Sequence, residues 1–150
     1  MKIEDAIKQS RFADNYQRAI VNLLFTGNWV RDEQTRVLKQ YDILPQHFNV
    51  LRIIKGRNPE PISPGEIKEV LIDKSNDLTR LLDKLEKKGL IKRRLCPVNR
   101  RKMDVTLTSK GIKLIHETAT AMEPFVKSLQ GRITDKEAEI LSKLLDKMRE

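Results

Sequence analysis

Eight basic residues between positions 87 and 102 form the part of this sequence best suited to hold a charged partner. The segment is KKGLIKRRLCPVNRRK, and it contains no acidic residue. Cations at this density neutralise phosphate groups, so the first chemistry to consider is electrostatic binding of a nucleic acid. A basic run is also often only a solvated surface, which leaves both interpretations open. The cations are Lys87, Lys88, Lys92, Arg93, Arg94, Arg100, Arg101 and Lys102.

The apolar residues in and after this segment predict two short strands joined by a turn. Pro97, Val98 and Asn99 lie between the strands and predict the turn itself. A basic hairpin that follows a helix is the shape expected of a DNA-binding wing. The apolar strand positions are Leu90, Ile91 and Leu95, followed by Met103, Val105 and Leu107.

Three predicted helices with short connections precede the hairpin. The first has Pro45 in its first turn and continues through Ile54. The second begins with a capping box that Ser63 and Glu66 can form. The third carries four leucines on one face and ends at Gly89. Three helices followed by a hairpin is the order of a winged helix-turn-helix. The candidate N-terminal caps of the third helix are Asp73, Lys74, Ser75 and Asn76.

Longer helical patterns flank this central part. The first covers residues 3–39, with apolar residues at three- and four-residue steps. After the hairpin, Thr108 can cap a helix that Pro124 should bend or break and that Gly131 ends. A capping box at Thr134 predicts a last helix with its own apolar stripe. These stripes fit either contact with a second subunit or packing within one chain.

The composition excludes several classes of protein. The 150 residues fit one domain, and the net charge of +9 indicates an anionic partner, either a nucleic acid or a membrane surface. No apolar run approaches the ~20 residues that span a bilayer, and the N-terminus lacks the apolar centre of a signal peptide. We therefore expect a cytoplasmic protein. Cys96 is the only cysteine, which excludes an internal disulfide and a cysteine-rich zinc site.

Three segments carry a pattern that is specific in combination. They are ILPQHFNVLRII, LTRLLDKLEKKGLIKR and CPVNRRKMDVTLTSKG, in this order. They resemble, respectively, the second helix, the recognition helix with the first wing strand, and the wing with the next helix start of the MarR family of bacterial transcription regulators. The resemblance covers nearly the whole chain. One departure is Asn99, where the family commonly has an aspartate whose ion pair braces the wing.

The resemblance implies a mainly α-helical fold with a small β-hairpin wing, a winged helix-turn-helix that dimerises through its N- and C-terminal helices. It implies one MarR-like domain over residues 1–150. Residues of about 1–40 and 109–150 would form the dimerisation helices, and residues of about 43–108 the DNA-binding lobe. The implied function is a transcription regulator that binds a pseudo-palindromic double-stranded operator as a homodimer, usually a repressor released by a ligand or an oxidant. The sequence assigns no residues to a small-molecule effector.

The exposed end of the recognition helix is the candidate base-reading surface. Arg80 can contact a guanine with two hydrogen bonds and Asn76 can do the same with an adenine, although either can instead contact a phosphate. At the wing tip, Arg100 and Arg101 suit a narrow minor groove, and the strand cations suit phosphates. The candidate DNA-binding residues are Ser75, Asn76, Thr79, Arg80, Lys84, Arg93, Arg94, Arg100, Arg101 and Lys102.

Other classes of function fit the sequence less well. His47 and His116 lie on different predicted helices, and no metal-ligand spacing, paired carboxylates or glycine-rich phosphate loop is present, so we expect no catalytic residue, metal or cofactor. Binding to a membrane is disfavoured because the cations cluster on a hairpin and not on an amphipathic helix. A redox-sensing regulator that uses Cys96 is the alternative, because Arg93 and Arg94 nearby favour the thiolate. A protein that binds partners other than DNA is a further alternative.

Overall fold

The architecture is helical with one small hairpin. In this computed structural model, which describes residues 1–9, 11–99 and 101–150, two units form, Met1–Pro45 and Gln46–Glu150. The predicted winged helix-turn-helix fold is confirmed. In chain order the elements are α1 (Ile3–Ile7), α2 (Asn15–Leu38) with a 3-10 turn after it (Lys39–Tyr41), α3 (Pro45–Arg57), α4 (Pro64–Val70), α5 (Leu78–Lys87), β1 (Ile91–Leu95), β2 (Met103–Leu107), α6 (Ser109–Gln130) and α7 (Asp135–Lys147).

The first unit contains two helices where the sequence pattern covers residues 3–39 without interruption. The short α1 ends at Lys8, whose backbone is left-handed with φ of 54°. A new helix then begins because the carboxylate of Asp14 accepts a hydrogen bond from the backbone N–H of Gln17 (2.8 Å). An ion pair between Arg18 and Glu4 (2.7 Å) connects the two helices. The apolar periodicity continues across the break, which is why periodicity alone does not locate it.

Helices α3 and α4 begin where local signals predict. Pro45 occupies the first position of α3, where its missing N–H costs nothing. At α4 the capping box is present: the Ser63 hydroxyl accepts from the Glu66 N–H (3.3 Å), and the Glu66 carboxylate accepts from the Ser63 N–H (2.9 Å). The pKa of Glu66 is lowered, chiefly by that backbone hydrogen bond from Ser63.

Helix α5 begins later than the candidate caps suggest. Its N-cap is Asp77, whose carboxylate accepts from the N–H of Arg80 (3.2 Å), so the prediction of a cap among residues 73–76 is wrong. The expected end is confirmed, because Gly89 has the left-handed φ of 70° that follows many helix C-termini. The four predicted apolar positions are all buried: Leu78, Leu81, Leu82 and Leu85.

The two predicted strands form an antiparallel hairpin. Ile91 pairs with Leu107 at its base and Leu95 with Met103 near its tip. Ile62, in the loop before α4, adds a bridge to Val105 through two backbone hydrogen bonds of 3.1 and 2.9 Å. Since Ile62, Ile91 and Val105 are all buried, the base of the hairpin belongs to the core of this unit.

The C-terminal helices confirm their predicted caps and correct one expectation. The Thr108 hydroxyl accepts from the Gly111 N–H (3.0 Å), and Thr134 forms a capping box with Glu137. Helix α6 continues through Pro124 to Gln130, so the predicted break does not occur. A proline inside a helix removes one hydrogen bond and crowds one carbonyl, and the remaining turns of a 22-residue helix are enough to keep it continuous.

Three elements meet at a close backbone junction around Leu90. The Thr108 N–H donates to the Leu90 carbonyl (3.1 Å), and the Thr108 hydroxyl donates to the Gly89 carbonyl (2.6 Å). A Cβ at Gly111 would lie 2.1 Å from that Leu90 oxygen. The first turn of α6 therefore approaches the end of α5 and the start of β1 at a distance that only glycine permits.

Gly111→Ala should lower the free energy of unfolding by about 2 kcal/mol or more, because overpacking against backbone typically costs ~1–3 kcal/mol. Gly65→Ala is the matched control, since a Cβ there would meet nothing closer than the Ser63 hydroxyl oxygen at 3.9 Å. Alanine's higher helix propensity should make that control neutral or stabilising by up to about 1 kcal/mol. Urea unfolding at one protein concentration measures both, and equal stability of the two variants would contradict the junction.

Asp77→Ala should destabilise the protein by about 1 kcal/mol, because it removes the side-chain acceptor at the start of α5. Asp77→Asn is the control, since asparagine caps helices about as well as aspartate. The same urea titration compares them. A loss in the asparagine variant as large as in the alanine variant would assign the effect of Asp77 to its charge and not to capping.

Candidate nucleic-acid interface

One face of α5 is buried and the opposite face is polar and exposed. The leucines fill the buried side, and the first two turns expose Thr79, Arg80 and Lys84, three of the candidate residues. Residues three and four apart share one side of a helix, so Arg80 and Lys84 lie on adjacent turns of the same face. Helix α5 can therefore present a hydroxyl, a guanidinium and an ammonium group to a partner without disturbing the core.

Ser75 and Asn76 lie in the turn before α5 and not on the helix as the sequence suggests. Asp73 organises this turn: its carboxylate accepts from the Ser75 N–H (3.0 Å) and hydroxyl (2.6 Å), and its carbonyl accepts from the Asn76 side chain (3.3 Å). The two side chains are next to the N-terminus of α5 but already have local partners. Any contact they make with DNA requires them to exchange these hydrogen bonds.

The tip of the hairpin is a loop built by Asn99. Its side-chain oxygen accepts from the Arg101 N–H (3.1 Å), and its carbonyl accepts from the Lys102 N–H (2.8 Å). The loop closes where the Cys96 N–H donates to the Lys102 carbonyl (2.9 Å). Arg101 and Lys102 are exposed there, whereas Arg100 lies outside the residues that the structure describes. Asn99 thus holds the tip with hydrogen bonds at the position where the sequence lacks the family's aspartate.

Two neighbouring arginines of β1 have different surroundings. Arg94, for which the sequence predicts a phosphate contact, has a side chain that is 68% exposed and pairs only loosely with Asp104 on β2, at 3.8 Å. Arg93, for which the same contact is predicted, is 22% exposed and pairs with Asp83 (2.6 Å) and Glu86 (2.7 Å) of α5. Its guanidinium is therefore occupied by two carboxylates of the protein, while that of Arg94 remains accessible to a partner.

The ion pair between Glu86 and Arg93 shifts both groups towards their charged forms. A hydrogen bond from the Arg93 side chain lowers the pKa of Glu86, and the same bond raises the pKa of Arg93, while partial desolvation opposes each shift. A carboxylate with a lowered pKa stabilises the folded state above its unfolded-state pKa and loses that contribution as the pH falls through the folded-state pKa. The pair is consequently ionised at neutral pH.

Sequence reasoning missed Asp83 and Glu86 as partners of a wing residue. The available signal was two acids three residues apart on the polar side of a helix, followed after a glycine by a basic strand. Sequence reasoning also missed Gly111, although the LTSKG segment predicts the start of a helix. Neither signal shows that the groups in question lie close together in space. Each contact forms because the chain reverses direction at Gly89.

The alternative sites gain no support from the structure. Cys96 is half-buried, and the guanidinium of Arg93 is held by two carboxylates, Asp83 and Glu86. His47 is buried and His116 is exposed, consistent with packing and surface roles.

Among residues 1–9, 11–99 and 101–150, no group of three or more acids, histidines or cysteines is placed to hold a metal ion. No helix in the same part of the chain is both long and apolar enough to cross a membrane.

Comparison with known proteins identifies this architecture. The model of the MarR family matches residues 43–103, which include α3, α4, α5 and the hairpin. The HTH-type transcriptional regulator PapX of Escherichia coli is 29% identical over 119 residues, which are 79% of this chain and 73% of PapX. PapX is thus a transcriptional regulator of the helix-turn-helix type.

Solved structures extend the likeness to the whole fold. Wild-type MarR from E. coli in its apo form is 30% identical, with a TM-score of 0.67 over 85% of this chain and 94% of MarR. The MepR–DNA complex from S. aureus has a TM-score of 0.78 over 92% of this chain and 97% of MepR, at 22% identity, which shows a shared fold. With a matching family model, a matching relative and a matching structure, this chain belongs to the MarR family of DNA-binding, winged-helix transcription regulators.

Proposed function

We propose that this protein binds a pseudo-palindromic double-stranded operator as a homodimer and represses transcription until a small-molecule effector lowers its affinity for DNA. The observation that carries the proposal is the combination of an exposed polar face on α5 with a basic hairpin directly after it. A major groove admits one α-helix, and a two-stranded ribbon with cations at its tip can reach the neighbouring backbone or minor groove. The MepR–DNA complex supports the proposal, since that protein of the same fold binds DNA.

The exposed side chains divide into two roles. On α5, Arg80 is the candidate for reading a guanine, and Thr79 and Lys84 lie on the same exposed helix. The wing supplies the charges that neutralise phosphates. Contacts with phosphates fix the register of a protein on DNA, but they do not read the base sequence. The candidate residues of this second group are Arg94, Arg100, Arg101 and Lys102, and the candidates that flank α5 are Ser75 and Asn76.

Two apolar stripes support the homodimer. On α7, three apolar side chains at helical spacing are exposed, Met148 at the C-cap continues the stripe, and no residue of that helix is buried. On α2, apolar residues are exposed over its first three turns. Exposed apolar patches of this kind mark protein interfaces, and a second copy of the chain would bury them. We assign residues of about 1–40 and 109–150 to dimerisation and residues of about 43–108 to DNA binding. The exposed positions are Tyr16, Ile20, Leu23 and Leu24 on α2, and Ile140, Leu141, Leu144 and Met148 at and after the end of α7.

Arg80→Ala should weaken binding to the cognate duplex by a free energy of about 1–3 kcal/mol and relax the sequence preference, because it removes a base contact. Selection of bound duplexes from a random pool gives the cognate site, and fluorescence anisotropy compares that site with random DNA. Arg149→Ala is the charge-matched control, at the C-terminal end of the chain and paired with Asp146. Equal losses on cognate and random DNA would instead assign Arg80 to a phosphate.

Replacing Arg101 and Lys102 with alanine should reduce the slope of log affinity against log salt concentration by about 2 to 4 per dimer, since four cations are lost and each releases up to ~0.9 counterion. The fold should be retained because both side chains are exposed. Lys136→Ala with Lys147→Ala, two exposed lysines of α7, is the control with equal net charge. A slope that changes equally in both double variants would show that net charge, and not wing contact, governs the salt dependence.

In sedimentation analysis at micromolar concentration, the protein should have a mass of 35 kDa, twice the 17.5 kDa of one chain. Leu144→Glu should shift the mass towards the monomer, because it places a charge on the exposed apolar stripe of α7. Ser142→Glu, also exposed on α7 but off the stripe, should leave the dimer intact. A wild-type monomer, or a dimer unaffected by Leu144→Glu, would contradict the assignment of α7 to the interface.

A further inference from the structure

Arg93 makes four contacts with two acids of α5. Its Nη2 donates to Asp83 Oδ1 (2.6 Å) and to Glu86 Oε2 (2.7 Å), and its Nε donates to the same Glu86 oxygen (3.2 Å). Its backbone N–H donates to the other oxygen, Glu86 Oε1 (3.1 Å). Glu86 is therefore held by both the side chain and the main chain of one strand residue. A guanidinium suits this role because its planar fork places several donors in fixed directions.

The position of these contacts determines what they can do. Asp83 and Glu86 are three residues apart, so they lie on one side of the last two turns of α5. Arg93 is the central residue of β1 and is opposite the buried Val105 of β2. The contact therefore joins the middle of the hairpin to the helix, beyond the covalent connection at Gly89. It therefore adds a polar connection to the apolar packing at the base of the hairpin, where Ile91 and Val105 are buried.

The charges of Asp83 and Glu86 make this arrangement unexpected for a surface that binds phosphates. Asp83 is exposed on the same helix as Arg80 and Lys84. Two carboxylates on a helix that enters a DNA groove repel the phosphates, so they weaken binding unless they perform another task. Holding Arg93 is such a task, and the lowered pKa of Glu86 agrees with a carboxylate held permanently in its charged form.

We propose that Arg93 is a positioning residue, which locks the wing to the recognition helix through Asp83 and Glu86 and does not itself contact DNA. The inference rests on the proposed function, because it needs α5 and the wing to bind one duplex together. A hairpin that is already held at a fixed angle reaches its groove without loss of conformational freedom on binding, which raises affinity. Of the two strand arginines, Arg94 then contacts phosphate and Arg93 sets where Arg94 and the tip lie.

The two possible roles of Arg93 predict opposite signs for one experiment. If Arg93 contacts a phosphate, neutralising its acidic partners releases the guanidinium and removes repulsion, so DNA affinity rises. If Arg93 positions the wing, neutralising the same acids loosens the hairpin, so DNA affinity falls even though the protein has become more positive. The sign of the change therefore separates the two roles without depending on its size.

The experiment measures binding of the full-length protein to its selected cognate duplex by fluorescence anisotropy at fixed salt concentration. Glu86→Gln, and Asp83→Asn with Glu86→Gln, should weaken binding, with the double variant weaker by about tenfold or more, since a hydrogen-bonded charge pair is lost. Glu69→Gln is the matched control, because Glu69 is an exposed acid of α4 that does not contact Arg93. It should bind unchanged or slightly more tightly. Circular dichroism and thermal unfolding verify that each variant is folded.

A hydroxyl-radical footprint gives a readout that loss of stability alone does not produce. In the double variant, protection of the flanking DNA that depends on Arg101 and Lys102 should disappear, while protection around the α5 contacts persists. The charge exchange Arg93→Glu with Glu86→Arg should restore most of the affinity and the flanking protection. This exchange also keeps the proposal testable if the neutral variants fold poorly, because it preserves an ion pair between strand and helix.

A double-mutant cycle completes the test. In the Arg101→Ala and Lys102→Ala background, Arg93→Gln should cost less affinity than in the wild type, because the wing has fewer contacts left to position. Additive losses, unchanged affinity in Glu86→Gln, or tighter binding in that variant would each overturn the positioning role. If the wild-type protein selects no duplex from the random pool, the proposed function itself fails, and that outcome is distinct from all of these.

Discussion

The close contact between the first turn of α6 and the backbone at Leu90 is the constraint on which the winged helix-turn-helix depends. The Leu90 carbonyl accepts from Thr108, and only the hydrogen atom of Gly111 fits beside it. Because Leu90 is between the end of α5 and the start of β1, this contact fixes where the helix stops and where the hairpin starts. The burial of Ile91 and Val105 then anchors the base of the hairpin in the core.

Charge is distributed unevenly around this junction. The net charge of +9 does not give a uniformly basic surface, because Asp83 and Glu86 are beside the cations of α5 and β1. Within the winged helix-turn-helix, these arginines therefore fall into two groups. Arg80, Arg94 and Arg101 are exposed, whereas Arg93 is largely covered and neutralised by its partners. A count of cations in the sequence does not separate those that are exposed from those that pair with carboxylates of the protein.

Helices α5 and α7 differ in whether their apolar residues are buried, and this difference indicates different roles. Helix α5 buries all four of its leucines within one chain, which makes it a rigid support for a polar face. Helix α7 has no buried residue, and Leu141 and Leu144 remain exposed on it. A capping box begins α7, but a 13-residue helix with an uncovered apolar stripe gains little stability from packing. A second copy of the chain would supply that packing.

The sequence by itself determined the features that depend on residues three or four apart. The capping boxes at Ser63 and Thr134, the glycine stop at Gly89 and the two strands of the hairpin were all predicted, because each depends on a local hydrogen bond or a local sequence pattern. The likeness to the MarR family, and with it the class of function, followed from the same motifs in order.

The tertiary structure decided two kinds of feature. In the first, several neighbouring residues compete for one role, and in the second, a contact joins residues that are distant in the sequence. Several residues between positions 73 and 77 can cap a helix, and the cap is Asp77, which places Leu78 at the first position of α5 and in the core. The partners of Arg93 likewise depend on contacts that no local pattern specifies. Glu86 and Arg93 are seven residues apart, and only the reversal of the chain at Gly89 brings a strand back beside its preceding helix. Local hydrogen bonds are encoded in short segments, whereas an ion pair across a reversal depends on how the segments pack.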